Sequence, residues 1–281
     1  NTVRLRSQSQ YQVDRYKWKV QPSVTYVNGT SDTSASPQIQ LSQNAWHDVQ
    51  LIVSNANGTD SITEFAAFRS GGLPLPYLEG FDGTDSLGNW TVDNPDQVPG
   101  LGWQQVSIVG PGGTPTKAAR MDLYQYALGG LTRRKDHLIS PAIDFFTHQN
   151  ISLIFDHAYA RRNGNSYDTL IVSVSTDCGQ SWSEVSRRVH GQGAGLATRS
   201  NVSGPFNPST SSDWCGGGSA SGCSIVDLSA YDGLAGVRIR FTTVSNRGNR
   251  LFIDNINING TARTVPLADF TSVRSSCANY D

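Results

Sequence analysis

LFIDNINI, residues 251–258, is the stretch from which the architecture is read. Side chains alternate along a strand, so Phe252, Ile256 and Ile258 are expected on one face. Asp254 falls on that same face. A carboxylate among core side chains is costly to bury unless something pairs with it or coordinates it. The stretch therefore predicts a buried closing strand and an acid that needs a partner. A backbone N–H and a metal ion are both open as that partner.

Other segments repeat the pattern. ISLIFDHAYA (151–160) reads as a buried strand from its apolar run. DTLIVSVS (168–175) turns Leu170, Val172 and Val174 inward, and VRIRF (237–241) sets Val237, Ile239 and Phe241 against Arg238 and Arg240. Charged residues are only 16% of the 281, with 28 Gly and one Met, a balance that suits short strands and polar turns. No helix-period segment of useful length is found. The expected class is all-β: a small immunoglobulin-like sandwich, then a larger jelly-roll sandwich.

The same sequence argues against several functions. A net charge of −1 gives no field for nucleic acid or an anionic membrane. No apolar run approaches the ~18 residues of a membrane span. HExxH, GxSxG and GxxxxGK[ST] are all missing. Asp156 and His157 are neighbours on a strand, so they point to opposite faces and form no dyad. A glycosidase would need two facing carboxylates, and no paired motif supports one. The expectation is a chain that is not an enzyme, with a hydrolase of unknown class as the distant alternative.

The chain divides by composition. Residues 1–70 hold RYKWKV, SVTYVNGT and the hairpin HDVQLIVSNANGTDSITEFAAF, in which Gly58 is free to take positive φ. This implies three to five strands. SGGLPLP marks a linker at 71–76, residues 77–264 form the larger unit, and 265–281 form a tail. Of four cysteines, Cys215 and Cys223 bracket CGGGSASGC, a loop that a disulfide can close; Cys178 and Cys277 have no evident local partner. A disulfide favours an oxidising compartment.

YKWKVQPSVTYVNGTSDTSASPQIQL followed by HDVQLIVSNANGTD resembles PKD domains, immunoglobulin-like spacers of secreted bacterial proteins, with the opening strand truncated. PLADFTSVRSSCANYD in the tail resembles the start of another. Four segments of the larger unit form a signature as a set: YLEGFDGTDSLGNWTVDNPDQVPGLGWQ, DHLISPAIDF, LIFDHAYARRNGNSYDTLIVSVSTDCGQSW and LFIDNINI. They resemble the cleaved-adhesin and choice-of-anchor J jelly rolls, relatives in shape of MAM domains. Similar modules are attached to secreted metalloproteases and other type IX secretion cargo. The resemblance implies a non-catalytic sandwich, often calcium-bound, within a larger secreted or cell-surface protein.

With the resemblance added, structural calcium is expected at Glu79, Asp82, Asp156 and Asp254, the first and last strands lying side by side. Calcium takes six to eight oxygens from carboxylates and carbonyls; the bland alternative is carboxylates that accept backbone N–H bonds. A glycan or extracellular protein ligand is expected at Tyr124, Tyr126, Arg133, Arg134, Arg161 and Arg162, where flat rings stack on sugars and guanidiniums bind anions. Against this, rings that fill core and cations on solvated loops would leave a spacer or secretion-linked stalk.

Overall fold

The computed structural model describes residues 2–40, 46–69, 71–84, 86–190, 195–215 and 223–263. The tail and Cys277 lie outside the described residues. Residues before the linker form β1 (Thr2–Arg4), β2 (Arg15–Gln21), β3 (Thr25–Val27), β4 (Gln38–Gln40), β5 (Trp46–Asn55) and β6 (Gly58–Arg69). They build two three-stranded antiparallel sheets, β1-β4-β3 and β2-β5-β6, that enclose Leu5, Trp18, Val20, Ile39 and Leu51. The strands exceed the expected three to five because β1, β3 and β4 are each three residues long, too short to show a period. Asn55 pairs with Gly58 across the β5–β6 turn, and Gly58 takes φ +153°, a region that favours glycine.

The linker residues join the larger unit. Leu73 N–H donates to Ala142 O and Leu73 O accepts from Asp144 N–H, both at 2.8 Å, and Leu75 is buried in the main core. Gly72 permits this approach: a Cβ there would lie 2.4 Å from the Ala142 and Ile143 backbone.

The larger unit runs β7 (Tyr77–Glu79), β8 (Thr91–Asp93), β9 (Trp103–Val109), β10 (Pro115–Asp122), α1 (Leu123–Leu128), β11 (Thr132–Ile139), β12 (His148–Tyr159), β13 (Thr169–Ser175), β14 (Ser183–Arg188), β15 (Ser224–Asp227), β16 (Arg238–Asn246) and β17 (Arg250–Ala262). One sheet has the order β15-β12-β17-β10-β9, with β7 also on β17; the other has β14-β13-β16-β11-β8. The core between them holds Leu170, Val172, Val174, Val237, Ile239 and Phe241, the inward set that alternation predicted. The short helix α1 agrees with the expectation that no helix-period segment of useful length is present. Six residues are too few to display a 3.6-residue period, and Asp122 caps it by accepting the Gln125 N–H at 3.3 Å.

LFIDNINI departs from simple alternation. Ile154 pairs with Asn257 and Asp156 with Asp254, so β17 advances three residues while β12 advances two. The extra residue is a β-bulge, and Asn255 at φ +50° absorbs it. Leu251, Ile253, Ile256 and Ile258 face the main core, whereas Phe252 joins a second cluster on the other side of the sheet. Asp254 shares Phe252's face and not that of Ile256 and Ile258, because the bulge reverses the phase between them.

That second cluster covers the outer face of the β17 sheet. Ala118, Ala158, Ala160 and Phe252 meet Phe206 and Trp214 from the segment after β14. Buried Asn249 fastens this segment, donating to Val202 O and Gly204 O and accepting from the Phe206 N–H, each at 2.8 Å. Trp214 Nε1 donates to Val109 O at 2.9 Å. Trp214→Ala is expected to destabilise the large sandwich by about 3–5 kcal/mol, the usual range for removing a buried large aromatic. Urea unfolding checks this; a loss under about 1 kcal/mol would mean that the outer layer contributes little.

Candidate functional site

β17 changes partner along its length. Residues 250–253 pair with β10, and 256–258 pair with β7, where Ile256 lies opposite Glu79. First and last strands are therefore neighbours, and the change of partner leaves a seam at Asp254 and Asn255. The chain leaving β7 crosses this seam as Gly80, Phe81 and Asp82. A Cβ on Gly80 would lie 3.1 Å from Asp82 Oδ2 and 3.9 Å from Asp254 Oδ1, so the missing side chain lets two carboxylates approach one place.

Each carboxylate of the seam has protein partners. Glu79 Oε1 accepts from the Phe81 N–H at 2.8 Å. Asp82 Oδ1 accepts from Thr116 Oγ1 at 2.8 Å and the Lys117 N–H at 3.1 Å. Asp156 Oδ2 accepts from Asn255 Nδ2 at 2.8 Å. Asp254 Oδ1 accepts from the Asn255 N–H at 2.7 Å. The backbone donor weighed against calcium is thus present, and the bulge residue supplies it.

One N–H does not offset what surrounds Asp254. Its side chain is 1% exposed. Burial pushes its carboxyl up to about 7; the Asn255 N–H opposes this, while the charges of Asp82, Asp156 and Glu79 add to it. Among the described residues no Lys or Arg forms an ion pair with Glu79, Asp82 or Asp254. The donor type and excess negative charge suit a hard divalent cation. The cage is not closed: among the described residues, no three of the four carboxylates bring ligand atoms within 4.8 Å of one another. The one set that does is His157 with Cys215 and Cys223, whose sulfurs are bonded to each other and so are not thiolate ligands.

His157 points into the main core, away from Asp156. It is held between Ser224 Oγ at 2.8 Å and Leu196 O at 3.1 Å, and burial first, then Arg188's charge, lowers its pKa to about 4. It stays neutral at physiological pH.

The expected ligand residues gather at one end of the large sandwich, where α1, the start of β11, the β12–β13 loop and the β16–β17 turn meet. Arg162 lies over the Tyr124 ring at 5.1 Å, and Arg161 over Tyr167 at 5.9 Å. Tyr167 is 42% exposed and meets His190 edge-on at 4.4 Å. Arg133, at φ +60°, sits in the bulge that opens β11; Arg134 pairs with Asp96 at 3.5 Å. Tyr126 is corrected: fully buried, it donates to Asp136 Oδ2 at 2.9 Å and belongs to the core. On α1 a spacing of two residues sends Tyr124 and Tyr126 to different sides. Tyr167 adds an exposed ring to this end, and its contact with Arg161 is the signal that marks it.

No family model matches the sequence, and no curated protein matches it. Solved structures similar to it include the K1 cleaved adhesin domain of Lys-gingipain from Porphyromonas gingivalis W83, at 16% identity and TM-score 0.44, covering 66% of this chain and 98% of that one. TmCBM61 in complex with beta-1,4-galactotriose aligns at 12% identity and TM-score 0.37, over 64% of this chain and 94% of that one. The xylan-binding domain from CBM 22 aligns at 10% identity and TM-score 0.37, over 67% and 96%.

The raised pKa of Asp254 gives a signed prediction. A carboxyl whose folded pKa exceeds its unfolded value contributes stability below the unfolded pKa, near 3.8, and that stability is lost as pH rises through about 7. Asp254→Asn, measured without divalent cations, is expected to match the native chain near pH 4. At pH 8 it should exceed it by about 4 kcal/mol, or roughly 8–16 °C in thermal midpoint. A variant less stable at both pH values would show that the carboxylate is satisfied in its ionised form.

Proposed function

We propose that this chain is a non-catalytic binding region of a secreted or cell-surface protein, engaging glycan through the end that carries Tyr124, Arg161, Arg162 and Tyr167. The observation that carries the reading is the pair of guanidinium-over-ring contacts on adjacent arginines of one loop. Rings part-covered by fixed guanidiniums offer a flat apolar face beside donors, and sugars and their acidic substituents are recognised by that combination. The Cys215–Cys223 disulfide supports an extracytoplasmic setting. Among the described residues no helix is long and apolar enough to cross a membrane.

Calcium in this reading is structural. Asp82, Asp254 and Glu79 would draw in from their wider spacing to hold it beside Gly80, where the ion would compensate the like charges gathered at the β7–β17 seam. Asp156, engaged with Asn255, would act on the site through charge. The purely structural spacer remains the second reading, and the burial of Tyr126 favours it.

Two measurements test these proposals. On a glycan array the intact chain should bind a defined set, and Tyr124→Ala or Arg162→Ala should weaken that binding roughly 3- to 30-fold with an unchanged thermal midpoint. No binding to any glycan would select the spacer. Millimolar calcium should raise the midpoint relative to chelator, as a ligand of the native state must. Asp254→Asn should abolish that increment, and equal midpoints with calcium and chelator would remove the metal.

A further inference from the structure

A groove of about 540 Å³ lies on the outer face of the β17 sheet, apart from both the carboxylate seam and the aromatic end. Its floor is the outer side of β9 and β10, and its wall is the segment through Asn207, Pro208 and Ser209. Val106, Ile108, Pro115 and Pro208 make the lining aliphatic, and Arg120 and Arg250 enter it.

The charges of the groove do not balance. Arg250 donates from Nε to Asp122 Oδ2 and from Nη1 to Asn207 Oδ1, each at 2.9 Å. Asp122 is largely buried and its Oδ1 caps α1. Arg120 donates only to the neutral Gln104 Oε1, at 2.9 Å, and its buried Nε has no hydrogen-bond partner among the described residues. One carboxylate thus serves two guanidiniums. A partly desolvated cation beside apolar wall is a setting in which an anion binds more strongly than it would in water.

We propose that this groove binds the C-terminal end of a peptide, its carboxylate on Arg120 and its aliphatic side chains on Val106, Ile108 and Pro208. Guanidinium and carboxylate match as a two-pronged pair. The lining distinguishes a peptide from an acidic sugar. Among the described residues no aromatic ring lines the groove to stack on a pyranose, whereas branched aliphatic walls suit Val, Leu or Ile side chains.

The test uses the whole chain and three probes: acetyl-Gly-Val-Leu with a free carboxylate, the same peptide as its carboxamide, and a galacturonate oligosaccharide. Calorimetric titration should show saturable binding of the carboxylate peptide, at least about tenfold tighter than the carboxamide. Arg120→Gln should remove the preference. Asn207→Asp, an exposed and nearly isosteric change next to Arg250, should weaken the carboxylate peptide at least about fivefold by supplying the missing negative charge, without loss of thermal stability. Equal binding of the two peptides, no binding at about 1 mM, an unaltered affinity in Asn207→Asp, or preference for the oligosaccharide would each overturn the proposal.

Discussion

The bulge at Asn255 is the constraint on which the large sandwich depends. Without it β17 would continue one alternation, and Ile256 and Ile258 would face away from the core that Leu251 and Ile253 help to fill. With it, one strand serves the main core at both ends and still gives Phe252 to the outer layer. The bulge also coincides with the place where β17 exchanges β10 for β7. The positive φ at Asn255 costs little, since Asn tolerates the left-handed region better than most residues. The same residue donates its N–H to Asp254 and its Nδ2 to Asp156, so it braces the irregularity that it creates.

Buried acids recur in this sandwich, and their partners separate them. Asp168 is fully buried with a pKa raised to about 6 by burial, yet it receives the Tyr159 hydroxyl and the N–H groups of Asn246 and Asn249. It organises the β16–β17 turn so closely that a Cβ on Gly248 would overlap its carboxylate. Asp136 is likewise raised to about 6 by burial and holds the Tyr126 hydroxyl. Both read as architecture. Asp254, like Asp136, has one donor among the described residues and acidic neighbours; its three, Glu79, Asp82 and Asp156, against Asp93 and Asp96 for Asp136, and its place at the strand exchange make it the functional candidate.

Legibility in the sequence followed the length and regularity of each element. The inward faces of β13 and of the first half of β16 were legible, because Leu170, Val172 and Val174, and likewise Val237, Ile239 and Phe241, alternate without interruption, although β16 runs on to Asn246. LFIDNINI was recognised as a strand beside the first one, but its phase was misread, since alternation cannot reveal a bulge. The Asp-Asn pair at its centre was the available hint. The outer layer was not legible: Trp214, Phe206 and Asn249 lie in segments with no period, and only three-dimensional closure brings them to Ala118 and Ala158. The groove of Arg120 and Arg250 was missed for the same reason, as its two cations are 130 residues apart in the chain. The aromatic end was partly legible, because loop rings next to paired arginines can be seen in sequence, whereas the burial of Tyr126 depended on a helix too short to predict.

A direct test of the central claim is the titration of Asp254 itself. Carbon-13 NMR of selectively labelled aspartate, assigned by comparison with Asp254→Asn, reads the ionisation of this carboxyl in the folded chain. Without divalent cations the account predicts a midpoint near 7, set by burial and by Glu79, Asp82 and Asp156, and a marked fall once calcium is added. A midpoint in the ordinary aspartate range near 4, unmoved by calcium, would contradict it. The seam would then be held by the Asn255 N–H alone.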